Sequence, residues 1–157
     1  VEDEMGTEPR TRTVRGADGL RLAVTEWGDA AAPTIVLVHG YPDTSALWTE
    51  TARRLAENWH VVAYDVRGAG GSSAPPDQAG YALERLAADF LAVLDAVAPD
   101  QRVHVVGHDW GSTQGWEFVT EAGTANRIAS FTSISGPCLD HMSLLLRDRT
   151  RPTWVSV

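Results

Sequence analysis

Gly107-His108-Asp109-Trp110-Gly111-Ser112 follows directly on the apolar run Val103-His104-Val105-Val106. A small residue, any residue, a side chain able to attack, any residue and a small residue, set between a buried strand and a helix, form the pattern of a nucleophile elbow. The spacing has a physical cause. A reactive side chain at the tip of so sharp a turn forces its own backbone into a strained conformation. The residues two before and two after it then press together, which leaves room only for glycine or a similarly small residue. Gly107 and Gly111 hold those places and Asp109 holds the tip.

Aspartate at the tip narrows the chemistry. A serine must lose a proton before it attacks, whereas an aspartate at neutral pH is already an anion. A carboxylate is a poor agent against ordinary esters. It does displace a leaving group from carbon, such as an epoxide oxygen or a halide, and the result is an ester between protein and substrate. Water activated by a base then hydrolyses that ester. The plainer alternative is that Asp109 caps the helix that starts near Trp110, since aspartates favour helix N-termini.

A second group of residues converges on the first. Residues 34–38, Thr-Ile-Val-Leu-Val, are a near-continuous β-branched run of the kind found in parallel strands buried on both faces. The run ends in His39-Gly40-Tyr41-Pro42-Asp43. A backbone N–H from such a loop and one from the residue after a nucleophile converge on one point. The N–H groups of Tyr41 and Trp110 are therefore the candidate oxyanion hole, for the carboxylate and for the tetrahedral intermediate of the second step. Gly40 lets the backbone come close and Pro42 stiffens the loop. The plainer alternative is a strand-to-helix loop with a turn proline.

Three motifs, in order, carry a family resemblance: His39-Gly40-Tyr41-Pro42 with Trp48 following, Asp65-Val66-Arg67-Gly68-Ala69-Gly70-Gly71-Ser72, and the elbow around Asp109. The chain resembles the N-terminal half of an α/β-hydrolase of the epoxide hydrolase and haloalkane dehalogenase branch. More loosely, the stretch from Ser112 to His141 is similar to the hydrolase half of actinobacterial proteins that continue into a short-chain dehydrogenase domain. The resemblance implies a hydrolase without cofactor or metal ion, with Asp109 as nucleophile and a cis peptide bond before Pro42. Tyr41, Pro42 and Trp110 would face a small apolar epoxide or haloalkane. Tyr41 resembles the aromatic residue of epoxide hydrolases, where the similar dehalogenases carry asparagine. Ser112 leans toward the dehalogenases, and the Trp110 indole could hold a halide. Epoxide chemistry is the expected reading and halide chemistry the alternative.

The glycine-rich stretch from Gly68 to Ser73 follows a predicted strand and invites a dinucleotide-binding reading. Its sixth place is Ser73, and Pro75-Pro76 prevents a helix from opening there, so no helix N-terminus awaits a pyrophosphate. The resemblance makes this loop a support beside the oxyanion loop, with His39 structural there and Arg67 bonded to nearby backbone. A solvated arginine in a glycine-rich turn is the other reading.

The elements that must position these residues alternate. Residues 11–15 and 20–27 read as an antiparallel hairpin turning at Ala17-Asp18-Gly19. Strands at 34–38, 59–64, 102–106 and 128–134 then alternate with helices at 46–57, 83–97 and 110–121. In the helix from Leu83, the residues Leu83, Leu86, Ala87, Phe90, Leu94 and Val97 share one face, and Glu84, Arg85, Asp89 and Asp95 avoid it. This order predicts an α/β fold, a mostly parallel sheet covered on both sides behind an antiparallel N-terminal hairpin. Residues 1–10 read as a disordered tail, 11–137 as a partial hydrolase core stopping before the last strands, and 138–157 as the start of a cap or linker.

A formal net charge of -8 argues against nucleic acid or an anionic membrane as partner. The one cysteine, Cys138, excludes an internal disulfide and suits a reducing, cytoplasmic compartment. No signal peptide or membrane span is visible. The resemblance also requires a histidine base after the last strand of the sheet, an orienting acid, and cap tyrosines. His39, His60, His104, His108 and His141 do not fill the first role, and Asp140 is a weak substitute for the second. The chain is therefore expected to be inactive by itself as a fragment of such an enzyme. A non-catalytic binding module that keeps the pocket is the reading from a different class.

Overall fold

The computed structural model describes residues 8–147. Six strands, β1 (Arg10–Arg15), β2 (Arg21–Trp27), β3 (Thr34–Val38), β4 (His60–Tyr64), β5 (Val103–His108) and β6 (Ile128–Ile134), form one sheet in the order β1-β2-β4-β3-β5-β6. The pairs β1–β2 and β2–β4 are antiparallel, while β3–β4, β3–β5 and β5–β6 are parallel. The helices are α1 (Thr49–Leu55), α2 (Leu83–Val97), α3 (Trp110–Thr120), α4 (Ala122–Ala125) and α5 (Leu139–Arg147). This is the α/β architecture that the alternation of apolar runs predicts.

Alternation within the buried strands splits the core in two. Val36 and Val38 of β3 point to one face and pack with Phe90, Val93 and Leu94 of α2 and Phe118 of α3. Ile35 and Leu37 point to the other and pack with Trp27, Trp48 and Ala52 of α1. Every residue of β3 and β4 is buried, and apart from Thr34 and His60 at their starts both strands read as apolar runs. Phe90 and Phe118 stack with centroids 4.5 Å apart, which locks α2 against α3 beneath the sheet.

Several elements differ from the sequence expectation. The helix expected over 46–57 divides into a 3-10 turn at Ser45–Trp48 and α1, because Thr44 caps the first turn by accepting from the Ala46 N–H. The tighter turn buries Trp48, whose indole meets His108 edge-on at 6.5 Å. The strand expected to stop at Val106 runs on to His108, since β6 pairs with it up to Ile134. Asp89, expected on the open face of α2, is buried for a reason found in the site. The tail expected over 1–10 lies outside the described residues up to Thr7, and Arg10 is already in β1. Of the stretch expected to open a cap or linker, α5 is described and residues 148–157 lie outside.

Among the described residues β6 pairs only with β5, and its sequence IASFTSI carries neither charge nor proline. Such an edge pairs readily with other chains. The side chains of Leu144 and Leu146 on α5 are exposed nearby in sequence and add apolar surface. Expressed as residues 1–157, the protein is expected to elute in size exclusion at a mass that rises with concentration. A monomer peak at every concentration, with a sharp cooperative melt, would contradict this.

Candidate active site

Strands β3 and β5 lie side by side, and the chain leaves β3 toward β4 but leaves β5 toward β6. Loops departing in opposite directions open a crevice at the carboxyl ends of the two strands. The register pairs Val38 with Gly107, so the loop beginning at His39 and the turn at Asp109 meet there.

Asp109 adopts φ 55° and ψ −123°, a left-handed conformation rare for a residue with a side chain. It occupies the N-cap position of α3, yet its side chain makes no capping hydrogen bond. The capping alternative is thus not what the fold uses. Its backbone N–H donates to the Ile134 carbonyl at 2.9 Å, which ties the turn to the end of β6. The flanking glycines are sterically fixed. A Cβ on Gly107 would lie 2.5 Å from the Gly111 carbonyl oxygen, and one on Gly111 would lie 2.2 Å from that of Val38. A Cβ on Gly40 would lie 2.4 Å from the Asp109 carboxylate. Gly111→Ala is therefore expected to destabilise the protein by about 3 kcal/mol, because rigid backbone must move. Urea unfolding checks this against Gly123→Ala, where a Cβ meets nothing within 4 Å and no loss is expected.

The Tyr41 N–H donates to Asp109 Oδ1 at 3.0 Å. The backbone amides of Trp110 and Tyr41 hold the Asp109 carboxyl below the usual carboxylate range, outweighing partial burial. The nucleophile candidate is thus an anion facing two converging N–H groups. The peptide bond between Tyr41 and Pro42 is cis. His39 is buried, with Nδ1 donating to the Gly40 carbonyl at 2.8 Å and Nε2 accepting from the Val66 N–H at 2.9 Å. These two bonds tie the loop that begins at His39 to the next one.

Asp65 and Arg67 build that next loop. The Asp65 carboxylate accepts from the N–H groups of Ser45 and Gly71, both at 2.8 Å. Gly70, at φ 49°, passes so close that a Cβ there would meet Asp65 Oδ2. Arg67 is neither solvated nor bonded mainly to backbone. It is buried, with Nε and Nη2 donating to Asp89 at 2.7 Å each and Nη1 to Asp18 at 2.9 Å and the Gly80 carbonyl at 2.6 Å. This explains the burial of Asp89. Sequence periodicity did not find Asp89, because its partner lies on another element.

Gly136 is a further position that pattern reasoning missed. A Cβ there would lie 2.3 Å from the Asp109 carbonyl oxygen, and its own carbonyl accepts from the Trp116 indole at 3.1 Å. The only hint was a glycine soon after a strand. Among the described residues no histidine hydrogen-bonds to Asp109. His60 is fully buried against Glu26 at 2.8 Å, and His104 bonds Ser130 at 2.8 Å beside Trp59. His108 lies behind the turn against Trp48, and His141 is exposed on α5.

The crevice opens into a cavity of about 720 Å³, lined among others by Tyr41, Pro42, Trp110, Leu83, Leu86 and Gln114. This volume suits a small organic molecule. Tyr41 and Trp110 are largely exposed at its mouth. Among the described residues no three His, Cys, Asp or Glu side chains cluster to hold a metal ion, and no helix is long and apolar enough to cross a membrane.

A family profile described as the alpha/beta hydrolase fold matches residues 33–155. The chain is 43% identical over 148 residues to a probable oxidoreductase, EphD, of Mycobacterium tuberculosis, covering 94% of this chain and 25% of that protein. It is 38% identical over 130 residues to epoxide hydrolase A of the same organism, covering 82% of this chain and 39% of that one. Among solved structures, epoxide hydrolase A of Mycobacterium thermoresistibile superposes with a TM-score of 0.72 at 34% identity, over 79% of this chain and 38% of its own. Epoxide hydrolase VrEH1 of Vigna radiata gives 0.72 at 29%, over 83% and 39%. The chain spans a quarter of the EphD relative and under half of the others. Strand order, elbow and profile agree, and the chain belongs to the α/β-hydrolase family.

Proposed function

We propose that the chain supplies the nucleophile and the oxyanion donors of an epoxide hydrolase-type active site. The observation that carries this reading is the Asp109 carboxylate, held at the tip of a strained turn by the Tyr41 N–H, beside a cavity that Gly40, Tyr41 and Trp110 line. An Asp109 oxygen attacks a ring carbon of the epoxide. A carbon–oxygen bond forms, the ring carbon–oxygen bond breaks, and the freed oxygen keeps the electron pair and takes a proton from water. The ester so formed is attacked by water at its carbonyl, the N–H groups of Tyr41 and Trp110 receive the charge of the tetrahedral intermediate, and its collapse breaks the ester carbon–oxygen bond, releasing the protonated diol and restoring the Asp109 carboxylate. That second attack needs a base. Among the described residues no histidine hydrogen-bonds to Asp109, and the covalent adduct is therefore the readout chosen for the first step.

Incubation with an aryl epoxide is therefore expected to add one epoxide mass to the intact protein, with the adduct mapping to Asp109. The depressed Asp109 pKa gives the rate its pH dependence: it is flat through neutral pH and falls only below the usual carboxylate range, as the carboxylate is protonated. Halide release from a bromoalkane without any epoxide adduct would transfer the assignment to dehalogenation. The Trp110 side chain, 55% exposed at the cavity, supplies the indole that such a reading needs.

A further inference from the structure

The sheet ends in two unlike edges. β1 carries Arg10, Arg12 and Arg15, and charged side chains on an edge strand resist pairing. β6 carries no charge, and only Ile128 in it is buried. The outward hydrogen-bonding groups of β6 follow from its register. In a strand the N–H and C=O of one residue point to the same side, and those of the next residue point to the other. The Ile134 carbonyl accepts from the Asp109 N–H, so Ile134 and Thr132 turn toward β5. The irregularity in the β5–β6 ladder lies between Val103 and His104, where the register skips Ala129, and so before these residues. Phe131 and Ser133 therefore turn their N–H and C=O groups outward. Among the described residues no strand pairs with them on that side.

We propose that this edge binds a second copy of the chain, β6 against β6, antiparallel about a two-fold axis through Thr132. The symmetry places Phe131 of each copy opposite Ser133 of the other, and each such pair exchanges two N–H···O bonds. The outward groups of both residues are all used. An axis through Phe131 would instead set Ser133 against Ala129, at the irregular start of the ladder. About the Thr132 axis, Thr132 meets its own copy and Ser130 meets Ile134, pairs without charge repulsion. Ile134 also holds the Asp109 N–H, so the pairing steadies the turn that carries the carboxylate.

At the axis Thr132 faces itself in a non-hydrogen-bonded pair, where Cα atoms stand about 4.5 Å apart, within disulfide reach. The test uses the protein of residues 1–157 with Cys138→Ser. Mild oxidation is expected to link Thr132→Cys into a dimer and to leave Ser130→Cys, which faces Ile134, unlinked. Thr132→Lys sets two ammonium groups face to face and is expected to raise the dimer dissociation constant about tenfold. Thr132 is exposed, so the melt of the dilute monomer is expected to change little. In the unaltered protein, amide exchange at Phe131 and Ser133 is expected to slow as concentration rises. Linkage at neither cysteine, equal linkage at both, or an unchanged dissociation constant in Thr132→Lys overturns the proposal. A monomer at every concentration overturns it as well, and protected Phe131 and Ser133 amides would then assign the edge to another part of the same chain.

Discussion

Asp109→Asn is expected to abolish the epoxide adduct entirely while leaving the fold intact. The substitution is nearly isosteric, and the amide oxygen still accepts from the Tyr41 N–H that now bonds Oδ1 at 3.0 Å. The neutral amide, however, has no anionic oxygen to attack carbon. Asp109→Ala is expected to behave alike, with stability little changed, since the side chain is half-buried and makes no capping bond. Peptide mapping after incubation with an aryl epoxide checks both variants. An adduct that survives in Asp109→Ala places the reactive group elsewhere.

Asp89→Ala is expected to cost more stability than any other single change at the site's edge, about 3–5 kcal/mol. The Arg67 guanidinium is 1% exposed and keeps its charge at any physiological pH, with its pKa raised further by the hydrogen bonds it donates to Asp89. Removing Asp89 deletes two 2.7 Å bonds and leaves that charge with only Asp18 and the Gly80 carbonyl. Domains of this kind have a net stability of only ~5–15 kcal/mol, so the variant approaches unfolding at ambient temperature. Urea denaturation followed by tryptophan fluorescence measures the loss. The double change Arg67→Met with Asp89→Leu is expected to recover most of it, because an apolar pair needs no compensating charge. Equal losses in the single and double variants would mean that packing, not the buried charge, sets the cost.

Local pattern revealed the strands, the hairpin and the elbow because their causes are local. Val36 and Val38 alternate with Ile35 and Leu37, and a turn as tight as that at Asp109 admits only Gly107 and Gly111 beside it. Arg67, Asp89 and Gln114 were not legible in the same way. The burial of a polar side chain depends on a partner brought in by the fold. Arg67 and Asp89 meet across 22 residues, with Asp18 reaching them from the hairpin turn. Their periodicity alone placed Asp89 on the solvent face, and the tertiary ion pair overrode it. Gln114 occupies a helical position that a core side chain would fill equally well. Only its place on the cavity lining and its buried, unpaired Oε1 set it apart.

The left-handed backbone at Asp109 also determines when energy enters the reaction. Holding such a conformation costs of order 1–3 kcal/mol, and it persists because surrounding contacts allow no other. Here those contacts are the Asp109 N–H bond to Ile134, the carbonyl of Val38 against Gly111, and Gly136 pressed on the Asp109 carbonyl. All are completed as the chain folds, before any substrate arrives. On the proposed reading the carboxylate thus meets an epoxide already aimed, and the collapse of the core, rather than affinity for the ligand, has done the work of aiming it.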